Sequence, residues 1–166
     1  SDHGVFSKSK IDFGSITLIE TYLKNRKDIQ SFLDVGCGYG FLSIVLSKEL
    51  NVCGMGVDVN LRALELAEEN AKLNQVSVSF KESNIYENVK ENFDLIITNP
   101  PIRAGKQVVL DILVNAKNYL NPHGELWVVI RKDQGAKSII KILSDVYKIE
   151  IMEKNKGFYV FCCKND

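Results

Sequence analysis

Apolar and polar positions alternate in blocks along this chain, and the period within each block assigns it to helix or strand. Ile16, Ile19 and Leu23 recur at helical spacing and predict a helix from Ser15 to near Asn25. Ser31-Phe32-Leu33-Asp34-Val35 reads as a short buried strand, and Phe41 to Leu50 as the helix after it. Val52 to Val57 is a second strand. Asn60 then caps a helix running to about Leu73, with Leu61, Leu64, Leu66, Ala67 and Ala71 as its apolar positions. Val76, Val78 and Phe80 alternate as a third strand that ends at Ser83-Asn84. Phe93 to Thr98 is nearly all apolar, as expected of a strand covered on both faces, and Asn99-Pro100-Pro101 stops it. Lys106 to Leu120 predicts a helix, Asn121-Pro122-His123-Gly124 a turn, Leu126 to Ile130 a fifth strand, and Gly135 to about Asp145 a last helix. Tyr147 to Glu153 and Phe158 to Cys163 close the chain as strands. The connection Lys154-Asn155-Lys156-Gly157 is short enough to force antiparallel pairing.

Strands and helices alternating in this way predict one α/β domain over residues 1–166, Rossmann-like, with a mostly parallel seven-stranded sheet and a C-terminal antiparallel hairpin. The 166 residues suffice for one core. Net charge is zero, so any attraction to nucleic acid must be local. No apolar run approaches the roughly 20 residues of a membrane span, and there is no charged-then-apolar leader, so the expected setting is cytoplasmic. Cys37, Cys53, Cys162 and Cys163 form no C-x-x-C pair, and His3 and His123 lie far apart in sequence. Buried reduced thiols and no metal are expected. Gly4-Val5-Phe6-Ser7-Lys8 reads as the interior of a longer segment, which points to a truncated N-terminus.

The chemistry concentrates in two loops. Gly36, Gly38 and Gly40 alternate between the first strand and its helix, where glycine admits backbone angles closed to other residues and lets a ligand approach the main chain. A dinucleotide fingerprint needs a third-step glycine where Phe41 stands. Asp34, entering the loop, would repel a pyrophosphate and suit a cation. S-adenosylmethionine carries a sulfonium and an ammonium and no phosphate. Asp58, ending the second strand, is placed to accept from ribose hydroxyls, and Gly54 and Gly56 would allow close packing beside the cofactor. The second loop is Asn99-Pro100-Pro101-Ile102 at the carboxyl end of the fourth strand, the edge where open α/β sheets bind ligands. A carboxamide oxygen on Asn99 and a carbonyl on Pro100 can accept both protons of a planar amine and orient its nitrogen toward a methyl group.

The series Asp34-Val35-Gly36-Cys37-Gly38-Tyr39-Gly40, Asp58, Ser83-Asn84 and Asn99-Pro100-Pro101 resembles the successive motifs of class I S-adenosylmethionine-dependent methyltransferases. More narrowly, Gly4-Val5-Phe6-Ser7, Asp12-Phe13-Gly14 and the stretch from Asn99 to Lys106 resemble the small-domain, RsmC-like methyltransferases. Gly124 to Val129 and Lys156-Gly157-Phe158-Tyr159 extend the resemblance over nearly the whole chain. That family modifies the exocyclic N2 of a guanine in bacterial small-subunit ribosomal RNA. The resemblance implies that Asp34, Gly36, Cys37, Gly38 and Gly40 hold the methionine part, Asp58 with Val59 the ribose side, and Asn84 the adenine amine. It implies that Asn99 and Pro100 receive the target amine, with Asn99 also beside the cofactor. Phe6, Ser7, Asp12, Pro101, Ile102, Arg103 and Lys106 would face the substrate, taken to be ribosomal RNA or the small ribosomal subunit.

Two departures bear on that reading. Position 84 is more often aspartate in such enzymes, and Ile102 stands where amino-methylating relatives often carry an aromatic residue to stack on the base. A stacking ring would then come from Phe6, Phe13 or Phe158. Arg103 and Lys106, and Arg131 and Lys132, follow adjacent strands onto the proposed binding edge, and the first pair is the better placed for phosphate contact. Adenine-N6 methylation, protein glutamine-N5 methylation and a catalytically silent RNA- or partner-binding module of the same fold are the alternatives.

Overall fold

Leu33, Leu95, Ile96, Ile97, Trp127 and Val128 are all 2% exposed or less, because the strands carrying them lie side by side in the middle of one sheet. The computed structural model describes residues 13–165. Its elements are α1 (Phe13–Lys24), β1 (Phe32–Val35), α2 (Phe41–Leu50), β2 (Gly54–Asp58), α3 (Leu61–Leu73), β3 (Val78–Glu82) and β4 (Phe93–Thr98). Then follow α4 (Lys106–Asn115), β5 (Leu120–Arg131), α5 (Ala136–Leu143), β6 (Lys148–Asn155) and β7 (Phe158–Lys164). The sheet has seven strands in the order β3-β2-β1-β4-β5-β7-β6. Strands β1 to β5 run parallel, and β7 is antiparallel to both β5 and β6. This is the expected Rossmann-like α/β fold.

Period-two alternation divides the sheet between two cores. Leu33, Val35, Ile96, Leu126, Val128 and Phe161 face the side covered by α4 and α5. Phe32, Ile97, Trp127 and Val160 face Leu18 and Tyr22 of α1 and Leu42 and Leu46 of α2. Tyr22 stands edge-on to Trp127 with ring centroids 5.0 Å apart. The indole Nε1 donates to Glu125 at 2.9 Å, and Glu125 also meets Lys27 and Lys164. That buried carboxylate is therefore hydrogen-bonded and charge-compensated, as a buried charge must be.

Several boundaries differ from the sequence reading. The expected turn at Asn121–Gly124 lies inside β5 as a bulge: pairing passes from Phe93 with Leu120 to Leu95 with Glu125, and His123 takes a φ of 68°. Gly124 sits there because a Cβ would come within 2.8 Å of the Asn121 carbonyl oxygen. The helix expected to reach Leu120 ends at Asn115, and a 3-10 turn, Ala116–Tyr119, completes it. The terminal hairpin turns on Lys156-Gly157 alone, both at positive φ (50° and 85°), as a tight two-residue hairpin requires. Cys53 is exposed, whereas the other three thiols are buried. Gly54 and Gly56 make room for the protein's own rings: a Cβ on Gly54 would overlap the Phe32 ring across the β1–β2 pairing, and one on Gly56 would lie 2.8 Å from the Phe80 ring.

Among the described residues no helix is long and apolar enough to cross a membrane, and no group of His, Cys, Asp and Glu is arranged to hold a metal ion.

Candidate cofactor and amine site

The loop after β1 folds as its glycines require. Gly36, Gly38 and Gly40 have φ of 72°, 53° and 92°, all in the left-handed region. The N–H groups of Gly36 and Cys37 both donate to the Val57 carbonyl at 2.9 Å. Gly38 N–H donates to Asp58 Oδ2 at 2.8 Å, and Asn60 N–H donates to Asp58 Oδ1 at 2.9 Å. Asp58 thus clamps the glycine loop to the end of β2, and each carboxylate oxygen retains a second lone pair. Open space surrounds the Cα of Gly36 and Gly38, whereas Gly40 packs on Ala67 of α3.

Asp34 does not stand in the loop but beneath it, in β1 and 1% exposed. Ser43, in the first turn of α2, donates its hydroxyl to Oδ2 at 2.7 Å. Oδ1 is buried without a hydrogen-bond partner among the described residues. Burial pushes this carboxyl up to about 7, opposed by the Ser43 hydrogen bonds and reinforced by the charge on Asp58. Its negative charge is therefore conditional on pH and on what binds above it, rather than the fixed charge expected of an aspartate in the loop. A nearby cation would draw the proton off. A buried carboxyl with one unanswered acceptor oxygen under an open glycine loop fits a cofactor carrying an ammonium and a sulfonium. Burial also pushes the neighbouring Cys37 thiol far up, so it stays neutral and unreactive.

The ends of β1, β2 and β3 and the segment after β4 enclose a cavity of about 250 Å³. Gly36, Asp58, Val59, Asn84 and Pro101 line it, so residues from four separate motifs converge there. Ile85, Ala104, Val108 and Ile112 supply an apolar wall. Asn84 is held at the rim by its neighbour Ser83, which accepts from Asn88 N–H at 3.0 Å and donates to the Ile85 carbonyl at 2.7 Å.

Thr98, fully buried, donates its hydroxyl to the Val35 carbonyl at 2.8 Å. That bond pins the end of β4 to the residue before Gly36, and so fixes the separation of the two loops. Asn99 is half-buried, and its Nδ2 donates to Ser15 Oγ at 2.9 Å. The bond sets the rotation of the carboxamide and hence where Oδ1 lies. Pro100 is buried. The Pro101 carbonyl accepts from Ala104 N–H at 2.9 Å and opens a 3-10 turn, Ile102–Ala104. Ile102 packs against the core under α4, away from the role of a stacking side chain. Arg103 is exposed, whereas Lys106 donates to Ser138 Oγ on α5 at 2.6 Å. Arg131 is engaged by both carboxylate oxygens of Asp133. Phe6, Ser7 and Asp12 lie outside the described residues. The sequence reading missed Ser15, Ser43 and Thr98, because isolated hydroxyls carry no spacing signal.

A parallel sheet of this order, with a glycine loop, an acidic clamp and an Asn-Pro-Pro end meeting at the carboxyl edge, defines a class I S-adenosylmethionine-dependent methyltransferase, whose cofactor is S-adenosylmethionine. The methyltransferase small domain family matches residues 1–162, and the chain belongs to it. The uncharacterised Bacillus subtilis protein YbxB is 41% identical over 99% of this chain and 84% of its own length. Ribosomal RNA small subunit methyltransferase C of Escherichia coli is 36% identical over 76% of this chain, which spans only 38% of that protein. A Methanocaldococcus jannaschii protein provisionally named a protein N5-glutamine methyltransferase is 32% identical over 81% of this chain and 80% of its own length. Among solved structures, the T. thermophilus 16S rRNA N2 methyltransferase RsmC, in complex with AdoMet and guanosine, superposes with a TM-score of 0.84 at 21% identity. It covers 97% of this chain and 45% of its own, and the likeness is one of fold.

Proposed function

We propose that this domain moves the methyl group of S-adenosylmethionine onto the exocyclic N2 of a guanine in small-subunit ribosomal RNA. The observation that carries the reading is Asn99, rotationally fixed by Ser15 and followed by two prolines, beside the cofactor loop. Asn99 Oδ1 and the Pro100 carbonyl accept the two amine protons and direct the nitrogen lone pair at the methyl carbon. The N–C bond forms as the C–S bond breaks, the sulfonium becomes a neutral thioether, and the extra proton leaves the nitrogen for solvent. Catalysis of this kind rests on proximity and orientation, because the sulfonium is already a good electrophile. Asp34, Gly36, Cys37, Gly38 and Gly40 take the methionine part, Asp58 and Val59 the ribose side, and Asn84 the adenine. Pro101, Arg103 and Lys106 face the substrate, Ile102 supports them from the core side, and Phe6, Ser7 and Asp12, which the family resemblance assigns to the same role, lie outside the described residues. The relatives named for ribosomal RNA methylation support the RNA, and the archaeal relative supports a second reading, methylation of a protein glutamine amide.

The test offers methyl-labelled cofactor with free small-subunit ribosomal RNA, assembled small subunits, and glutamine-containing peptides. Label is expected in N2-methylguanine. Asn99→Ala is expected to lower transfer at least about 100-fold, the scale of losing a group that acts in the transition state. Its cofactor affinity should stay within about twofold of wild type. Label in glutamine alone would replace the RNA reading with the second one, and undiminished transfer by the variant would remove Asn99 from the chemistry.

A further inference from the structure

The carboxyl edge carries a feature that the cofactor and the target amine leave unused. Strand β5 runs parallel to β4, so Arg131 emerges on the same edge as Asn99. Strand β7 pairs Phe158 with Arg131, which starts it on that edge. Helix α1 also begins there, because Ser15 in its first turn holds Asn99. The result is a pair of rings, Phe13 and Phe158, with centroids 5.8 Å apart and planes inclined at 45°. Lys156 Nζ lies 4.8 Å from the Phe13 centroid, and the Arg131 guanidinium lies 5.7 Å from that of Phe158. Phe13 is 37% exposed, so part of its ring is open to a ligand. Arg131 is already neutralised by Asp133, whereas Lys156 has no carboxylate partner among the described residues.

We propose that Phe13 and Phe158 form a stacking platform for a nucleobase of single-stranded RNA, with Lys156 moving from the Phe13 face to a backbone phosphate as the base arrives. The proposal rests on the RNA reading above and deepens it. Ile102 cannot stack, so a base presented to Asn99 needs a π-surface from another element, and this pair supplies one within two residues of Ser15. Stacking accepts any base, because every base has a π-face, and it favours unpaired strands, in which those faces are open. A long, flexible lysine over a ring is a displaceable cover that carries the charge a phosphate requires. An alternative role for the pair is purely structural, an anchor of α1 on the β6–β7 hairpin, and such an anchor would not respond to RNA.

The experiment uses a short single-stranded RNA carrying 2-aminopurine, a fluorescent base that bears the same 2-amino group as guanine and is quenched on stacking. It is titrated into the full chain with S-adenosylhomocysteine present. Quenching is expected with wild type. Phe13→Leu should weaken binding about 5- to 100-fold and abolish the quench, while Phe13→Trp restores it. Lys156→Gln should weaken binding and flatten its salt dependence by about one counterion, with the quench retained at saturation. Cofactor affinity and unfolding midpoint report whether each variant is folded, and Lys156→Gln exchanges one long exposed side chain for another at the same backbone angle. Tight binding with a quench unaltered in Phe13→Leu overturns the platform and leaves the RNA reading standing. No quench with wild type also overturns the platform, and the methyl-transfer assay then decides separately whether RNA is the substrate.

Discussion

Asp34→Asn separates the cost of burying a carboxyl from its use. Burial raises the Asp34 carboxyl from 3.8 to about 7, and at about 1.4 kcal/mol per pKa unit the ionised form weakens the cofactor-free fold by about 4 kcal/mol. The sign follows from proton binding. The folded state holds this proton more tightly than the unfolded chain, so the penalty is absent well below pH 4, grows as pH rises, and levels off above about pH 7. Asparagine keeps the shape and does not titrate, and whatever its buried amide costs is independent of pH. The stability of Asp34→Asn relative to wild type should therefore rise by about 3 kcal/mol between pH 5 and pH 8, most steeply below about pH 6.5. Urea unfolding of both cofactor-free proteins at pH 5, 6, 7 and 8 measures this difference, and the contributions of Asp94 and Glu125 cancel in it. A difference that stays flat, or that grows on acidification, refutes the buried-carboxyl account. Calorimetry supplies a second check. A cationic cofactor draws the proton off Asp34, so binding at pH 7 should release about half a proton in wild type and none from this position in Asp34→Asn.

Asp58→Ala removes both the clamp on Gly38 and the proposed ribose acceptor, and should weaken S-adenosylmethionine binding about 10- to 100-fold by calorimetry. Unchanged affinity would place the ribose contact elsewhere. Ser15→Ala removes one hydrogen bond that orients the Asn99 carboxamide, and should lower kcat about fivefold with cofactor affinity unchanged, while Ser15→Thr keeps the hydroxyl and most of the rate. An effect on cofactor affinity equal to that on kcat would make Ser15 merely structural. Gly54→Ala drives a methyl into the Phe32 ring and should destabilise the protein by about 1–3 kcal/mol in urea unfolding. A variant of wild-type stability would mean that the ring yields freely.

Element type was legible where a local rule decided it. Asn60 was readable as an N-cap, and its side chain does accept from Ala63 N–H at 3.1 Å. The apolar run from Phe93 to Thr98 announced a strand covered on both faces, and the alternating glycines announced a left-handed loop. The bulge in β5 was not legible, because Asn-Pro-His-Gly has the composition of a turn whether the chain reverses there or continues. Residues with chemical signatures, Asp34, Asp58, Asn84 and Asn99, could be picked out from spacing and strand ends. Their environments could not. Burial moved Asp34 below the loop and raised its carboxyl, and both oxygens of Asp58 proved to be bound by the backbone.

The order of elements, the cofactor loop and the Asn-Pro-Pro end follow from local sequence, since each depends on residues within a few positions of one another. What sits between and behind them depends on how distant segments pack. That packing inserted β7 between β5 and β6, and so carried Phe158 to the carboxyl edge. It used Thr98 to tie two loops 63 residues apart and Ser15 to hold an asparagine 84 residues away. Contacts of that range are set by how strands pair and helices cover them. A hydroxyl bonded across the sheet has no local pattern to betray it.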